Sequence, residues 1–487
     1  MTGGFMRLLI ILHRYIGVAV GLLMAVWCLS GFVMMYQGYP RLDEGERLRA
    51  LAPLAVTPAQ ARAAIDLPDN AKLTGFHLEM MAGRPVLHVQ PGPRNQQAYD
   101  LASGQPIDKV TPAQALGAAH ALAAARGLPG LPADLGVIAV DQWTLDGINR
   151  AGPMHHYRFG DPAGTELYVS EHTGQVVQAT TIQQRVVAWL GAIPHWLYPT
   201  VLRNNVAVWD AVVVWTSLIG TFLTVIGLYI GIARFKRYKS GRWSPYRGWF
   251  YWHHIIGLVF GVLTLTWVFS GLLTMGPWGF LESSAGRRER GALAGSITGA
   301  EAKAFLKLSP ALATGHIRTL DAAPLGGRLH VMATDLDGHV QRLDSDGRPS
   351  PLTQAEAQAA LKVVARSPIA AFERLDREDA YYYSGYDGAA AFPVYRARLA
   401  DAQATTFYLD GQTGRMVRAV DSTGRQSRWL RYGLHDLDFG PLLRSRPLWD
   451  IVMWVLLAGV TAVCITGAWM SWLRIKLDLA NLKPRKA

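Results

Sequence analysis

The chain carries one pattern twice, at a fixed offset. Leu12-His13-Arg14-Tyr15-Ile16-Gly17 opens an apolar stretch that runs through Trp27, Ser30 and Gly31 to Met35. Trp252-His253-His254-Ile255-Ile256-Gly257 opens another, through Trp267, Ser270 and Gly271 to Met275. His253 lies 240 positions after His13, and the same offset joins Trp189 to Trp429, His195 to His435, Trp209-Asp210 to Trp449-Asp450, and Gly227 to Gly467. Read this way, the chain is two tandem copies of one unit, so any site built at the junction of the halves receives the same residue from each.

Hydrophobic residues make up 50% of the 487 positions but concentrate in four runs. At 1.5 Å of rise per residue each run is long enough to cross the ~30 Å hydrocarbon layer. The chain divides into spans at 1–36, 206–233, 249–275 and 448–473, long segments at 37–205 and 276–447, a loop at 234–248 and a tail at 474–487. The first run has the look of a cleaved signal peptide, but its counterpart lies in mid-chain and cannot be cleaved, so it is read as an anchor. The 234–248 loop carries Arg234, Lys236, Arg237, Lys239, Arg242 and Arg247 without an acid; the tail carries Arg474, Lys476, Lys483, Arg485 and Lys486 against Asp478. The positive-inside rule places both in the cytoplasm, together with the two termini, and the long segments outside, in the periplasm of a Gram-negative inner membrane. Much of the net charge of +12 is thereby a topology signal, and no nucleic-acid partner is expected. Cys28 and Cys464 both fall in spans, where they read as small buried hydrophobes; there is no CxxC and no disulfide framework.

The long segments alternate helix starts with strand pairs. Thr57-Pro58 and Thr111-Pro112 place a capping threonine before a first-turn proline, and both predict helices. Strand pairs are predicted at Arg84–Gly104, at Glu166-Leu167-Tyr168-Val169-Ser170 with Thr173-Gly174, at Arg328-Leu329-His330-Val331 with Asp346-Gly347, and at Thr406-Phe407-Tyr408-Leu409-Asp410 with Thr413-Gly414. Four helix-plus-hairpin units result, two in each segment. The predicted fold class is an α-helical membrane protein with four spans in two tandem repeats and α+β external domains.

Those strands, reading Tyr-x-Val/Leu-Asp/Ser and closing on Thr-Gly, resemble the PepSY domain. A span opening Leu-His-Arg-Tyr-Ile-Gly and closing on Ser-Gly resembles the PepSY-associated transmembrane helix family, and the resemblance covers nearly the whole chain. Members are similar to inner-membrane proteins of iron acquisition, including di-heme reductases of ferric siderophores. The resemblance therefore implies heme and iron, which composition and spacing alone do not.

Histidine inside a lipid-spanning helix is costly and marks function by default. If the halves are related by an axis along the membrane normal, His13 and His253 sit at equal depth near the cytoplasmic face and can clamp one b-type heme iron. Gly17 and Gly21 follow His13 at i+4 and i+8, as Gly257 and Gly261 follow His253, leaving room on the histidine face for a flat macrocycle; plain helix packing is the competing use of such glycines. His195 and His435, ahead of the second and fourth spans, form an outer pair, giving two b-type hemes, although mixed pairings of the four histidines stay open. His254 has Arg14 as its counterpart and reads as facing headgroups, with ligation as the minor alternative. His88 and His330 read as satisfied strand histidines or as ligands of iron or substrate, His155-His156 as lying on a strand surface, and Asp210 and Asp450 as helix N-caps, with proton relay as the less simple role.

A heme-dependent reductase of periplasmic ferric siderophore is the function this set implies. Its partners would be membrane lipid, a ferric siderophore or other periplasmic acceptor, and quinol or a separate cytoplasmic reductase as donor, since the 234–248 loop cannot hold a flavin or nicotinamide. Two other readings remain: a membrane-anchored protein that binds peptides or regulates a peptidase, and an importer of iron or its chelate. Few acid or amide side chains in the spans line a polar path for the importer.

Overall fold

The computed structural model describes residues 3–92, 95–145, 152–385 and 388–482; the basic tail residues Lys483, Arg485 and Lys486 lie outside them. Four helices long and apolar enough to cross a membrane occupy Gly3–Met34, Val206–Arg234, Trp249–Thr274 and Leu448–Leu482, within a few residues of the predicted spans except at the fourth, which continues to Leu482. A chain surrounded by lipid must satisfy its backbone internally, and a helix does so within itself. Several hydroxyls inside the spans are satisfied in the same manner: Thr216, Thr224, Thr264 and Thr466 each donate to the carbonyl four residues earlier, at 2.6, 2.8, 2.9 and 2.7 Å.

The chain forms two compact units. The first comprises Met1–Tyr39, Gln184–Glu282 and Gln426–Ala487 and holds all four spans. The first span packs on the second and fourth and the third packs on the second and fourth, so the first and third stand diagonally across a four-helix bundle. Val20, Met24, Leu223, Trp267, Leu457, Val460 and Cys464 fill its interior, and the Cys28 and Cys464 thiols touch at 3.6 Å.

The second unit joins 40–183 and 283–425, so the two long segments fold together. Its centre is a seven-stranded antiparallel sheet in which Gly75–Met81 from one segment pairs with Ile317–Ala322 from the other, with Asp321 opposite His77. Four separate units were predicted; two of them have merged through this pairing, which covers a strand edge that each would otherwise expose. Two four-stranded meanders, Ala133–Ile138 through Val176–Thr180 and Ile369–Leu375 through Met416–Val420, complete the unit.

Several expectations need correction. Thr111 caps the helix Pro112–Ala125 in a capping box with Gln114, as predicted, but the Thr57 start yields only a single 3-10 turn, Gln60–Arg62, before the chain turns extended ahead of Pro68. Asp210 and Asp450 are not N-caps. Asn205 caps the second span by accepting from the Val208 amide at 3.1 Å, so that helix begins before Asp210, and the fourth begins at Leu448, before Asp450. His155 and His156 lie buried rather than on a strand surface. Their strand is covered on both faces, and neighbouring side chains point to opposite faces, so one ring meets the Val110 carbonyl at 3.3 Å and the other Glu166 at 3.1 Å.

Gly459 marks a close approach between the third and fourth spans: a Cβ there would lie 2.2 Å from Cε1 of Phe260. Gly459→Ala should destabilise the bundle by about 1–3 kcal/mol, as overpacking does. Thermal unfolding of the detergent-solubilised protein measures this, and an unchanged midpoint would contradict the packing.

Candidate functional site: paired histidines in the bundle

The four matched histidines come together as two pairs. The rings of His13 and His253 lie 6.3 Å apart between centroids, and those of His195 and His435 lie 6.2 Å apart. The pairing is within the sets read from the offset, and the structure brings no mixed pair together. His13 and Ser30, which contacts His195, are 17 residues apart on one helix, so the pairs are separated by roughly 25 Å along the bundle.

Each imidazole is held by its Nδ1. His13 Nδ1 meets the Leu223 carbonyl at 3.2 Å, and His195 Nδ1 meets the Trp27 carbonyl at 3.0 Å with Ser30 Oγ at 3.1 Å. A carbonyl only accepts, so Nδ1 carries the proton in both rings. His253 Nδ1 lies 3.0 Å from Thr466 Oγ1, and His435 Nδ1 lies 3.0 Å from Ser270 Oγ. Those hydroxyls spend their own hydrogens on backbone carbonyls, Thr466 on Ala462 and Ser270 on Trp267, and so must accept from the rings. All four histidines are therefore fixed as Nδ1–H tautomers. Their Nε2 atoms keep a lone pair, and no Nε2 has a hydrogen-bond partner among the described residues.

Glycines make room for the rings. A Cβ at Gly227 would stand 2.6 Å from His13 Cε1, and one at Gly467 would stand 3.2 Å from His253 Cε1. At the other end Gly31 and Gly271 face His195 and His435 at 3.9 and 3.7 Å. The outer histidines sit on short turns with further matched supports. Leu197 and Leu437, two residues past each histidine, have φ of 49° and 56°, a conformation uncommon outside glycine. The Trp209 indole donates to the Trp196 carbonyl at 2.9 Å, and the Trp449 indole to the Asp436 carbonyl at 2.7 Å. A π-helical stretch, Arg428–Gly433, leads into His435.

The predicted glycine cradle is placed differently. Gly17 and Gly21 approach Ser471 of the fourth span at 3.7 and 3.8 Å, Gly261 would meet Leu228 of the second at 2.6 Å, and nothing lies within 4 Å of Gly257. Three of these four thus serve close helix packing, while the glycines beside the inner rings are Gly227 and Gly467. His254 is buried and doubly bonded, to Ser244 Oγ at 2.8 Å and the Gly231 carbonyl at 2.9 Å, instead of facing headgroups. It ties the loop before the third span to the end of the second and has no nitrogen to spare for a metal.

The spacing fits a metal held between imidazoles. With metal–nitrogen bonds of about 2 Å and each ring centre about 1.1 Å further on, two rings on opposite sides of one iron stand about 6.2 Å apart. A metal-bound histidine likewise donates its other ring N–H to a fixed acceptor.

Comparison with known families settles the class. The description "PepSY-associated TM region" matches residues 10–474. The chain belongs to this family. It is a multi-pass membrane protein, with four membrane helices and β-rich PepSY-like domains. No curated protein matches it significantly.

In the β-rich unit of this PepSY-associated protein, the strand histidines lead to a polar cluster that the sequence reading missed. His88 is fully buried, and its closest charged neighbour is Glu79 at 3.4 Å, without hydrogen-bond geometry at either ring nitrogen; it is not the satisfied histidine expected. His330 stands 3.6 Å from Glu356. The stronger contacts belong to His77, whose nitrogens reach Asp321 at 2.5 Å and Glu79 at 2.6 Å. Arg47 at 2.9 Å and Gln175 at 2.8 Å also hold Glu79. The available signal was the His77-x-Glu79 alternation, which puts both side chains on one face of a strand.

Burial opposes charge on His77, but Glu79 and Asp321 prevail and push it up to about 10. Burial likewise opposes charge on Glu79, and His77 draws it well below the usual carboxylate range. Because His77 is raised from about 6.5, its stabilisation is complete below that pH and is lost as pH rises toward 10. Unfolding midpoints followed from pH 6 to pH 10 should fall more steeply for the wild type than for His77→Gln, whereas parallel slopes would contradict a charged His77.

Proposed function

We propose that this protein moves electrons across a bacterial inner membrane by means of two b-type hemes and reduces a ferric chelate, a siderophore in the first instance, in the periplasm. The observation that carries the reading is the set of four imidazoles held in one tautomer, each with a bare Nε2, whose rings meet in pairs with centroids 6.2–6.3 Å apart. Heme bound between two imidazoles supplies one-electron Fe(III)/Fe(II) chemistry. The residues that would hold it are His13 with His253 and His195 with His435. Leu223, Thr466, Trp27, Ser30 and Ser270 orient those rings, and Gly227 and Gly467 admit them.

The basic connection between the second and third spans supports a cytoplasmic location for the His13/His253 end. The outer pair would then lie toward the periplasm, and both termini in the cytoplasm. That connection, 235–248, is too short to fold around a flavin or nicotinamide, which favours quinol or a separate reductase as donor. The matched spacing, the matched leucines at positive φ and the matched indole bonds favour two tandem halves related by an axis along the membrane normal. Reduction to Fe(II) weakens a hard-oxygen chelate, which is the use of such an activity in iron acquisition. A purely anchoring role for the spans, as in peptide binding, has no use for four imidazoles so held.

His13→Ala and His195→Ala should each retain one heme of two, and the double variant none, by pyridine hemochrome assay. Two hemes retained in either single variant would overturn that pair. Dithionite-reduced protein should be reoxidised on adding a ferric chelate; a spectrum that stays reduced would contradict the acceptor.

A further inference from the structure

A cavity of about 360 Å³ opens in the β-rich unit, lined in part by Thr74, His77, Gln90, Arg290, Asp321 and Arg415. Its volume is in the range of small-ligand pockets. Strands from both long segments form one side, the helix Arg287–Ala294 and the turn at 411–415 the other. Gly414, at φ 73°, shapes that turn, and a Cβ on it would press on Leu325 at 3.0 Å.

The charges around the cavity do not cancel. Asp321 is the one carboxylate among the lining residues, and it is paired with His77 and lies in the field of Arg415. With Arg290 and Arg415 also in the lining, positive charge is in excess there. Each is anchored to a backbone carbonyl, Arg290 Nε to Met416 at 3.1 Å and an Arg415 Nη to Ala322 at 2.5 Å. Neither has a carboxylate within ion-pair distance among the described residues. Anchoring one nitrogen fixes the direction of a guanidinium and leaves its other N–H groups to grip a planar oxyanion, the geometry in which arginine binds carboxylates. Two such groups lining one small cavity suit a ligand with more than one carboxylate, and they disfavour neutral or cationic ligands.

We propose that this cavity binds a small polycarboxylate, free or as its ferric chelate, through Arg290 and Arg415. The proposal deepens the acceptor reading above and rests on it only for the iron; the binding of the organic anion stands on the cavity itself.

Isothermal titration of the full-length detergent-solubilised protein tests this, with citrate, ferric citrate, inorganic phosphate and an uncharged ferric trihydroxamate as probes. Citrate and ferric citrate should bind, phosphate more weakly, and the trihydroxamate not at all. Arg290→Ala and Arg415→Ala should each weaken citrate about ten-fold or more, as loss of a charge-assisted contact does. Arg290→Lys and Arg415→Lys, which preserve charge, should fall between; they also separate lost recognition from lost folding, which thermal unfolding reports for every variant. Absence of citrate binding, phosphate binding as tight as citrate, trihydroxamate binding, or undiminished citrate binding in the folded double alanine variant would each overturn the proposal. Citrate that binds as described while ferric citrate fails to reoxidise reduced protein would instead count against the electron-transfer reading and leave the site in place.

Discussion

The bond from each imidazole Nδ1–H to an acceptor inside the helical bundle is the interaction on which the rest of the first unit depends. An imidazole in an apolar bundle is expensive unless its polar atoms are used. Leu223, Trp27, Thr466 and Ser270 each accept one hydrogen bond, and this fixes where the opposite nitrogen points. The remaining geometry follows. Ser30 and Ser270 lie 17 residues beyond His13 and His253, so one end of each helix carries a histidine and the other holds the histidine of a neighbouring turn. Gly227 and Gly467 are small because the rings occupy their space. Trp209 and Trp449 reach back to the histidine-bearing turns, which leave regular helix to aim a side chain into the bundle.

The second unit is organised by a charged cluster instead of by bundle packing. Asp321 pairs in register with His77 across the strand contact that joins the long segments, so the junction of the two segments is also where the ion pairs form. The carboxylates satisfy His77 and Arg47, and the arginines of the neighbouring turn and helix keep their charge for the cavity. Joining the sheet and building the site are thus one arrangement of residues.

The bundle was legible because hydropathy and lipid thickness dictate it: four runs became four spans, and the offset singled out the four histidines, although not their pairing. What the offset could not supply was the orientation of faces. Gly17 and Gly21 share a helical face with His13, yet that face also meets the fourth span, and helical spacing does not distinguish a neighbour's side chain from a ring. Ser30, Ser270, Gly227 and Gly467 were visible as matched residues without a role, because their roles depend on partners from other helices. In the β-rich unit, strands and turns followed from Thr-Gly and alternation, but the pairing of Gly75–Met81 with Ile317–Ala322 joins residues some 240 positions apart. Nothing local specifies such a pairing, so the His77 cluster and the burial of His155 and His156 stayed out of view. Asp210 and Asp450 misled for a simpler reason: an acid near a helix start resembles a cap, but Asn205 caps the second span and the fourth begins at Leu448, so both acids lie inside their helices.

The central claim is that the paired imidazoles hold two hemes. Absorption and low-temperature electron paramagnetic resonance spectra of the protein purified from heme-supplied cells, with heme counted per chain, test it most directly. The account predicts about two b-type hemes per chain with low-spin, bis-imidazole signals. A heme-free protein, or one whose iron is high-spin with an open coordination position, would contradict it.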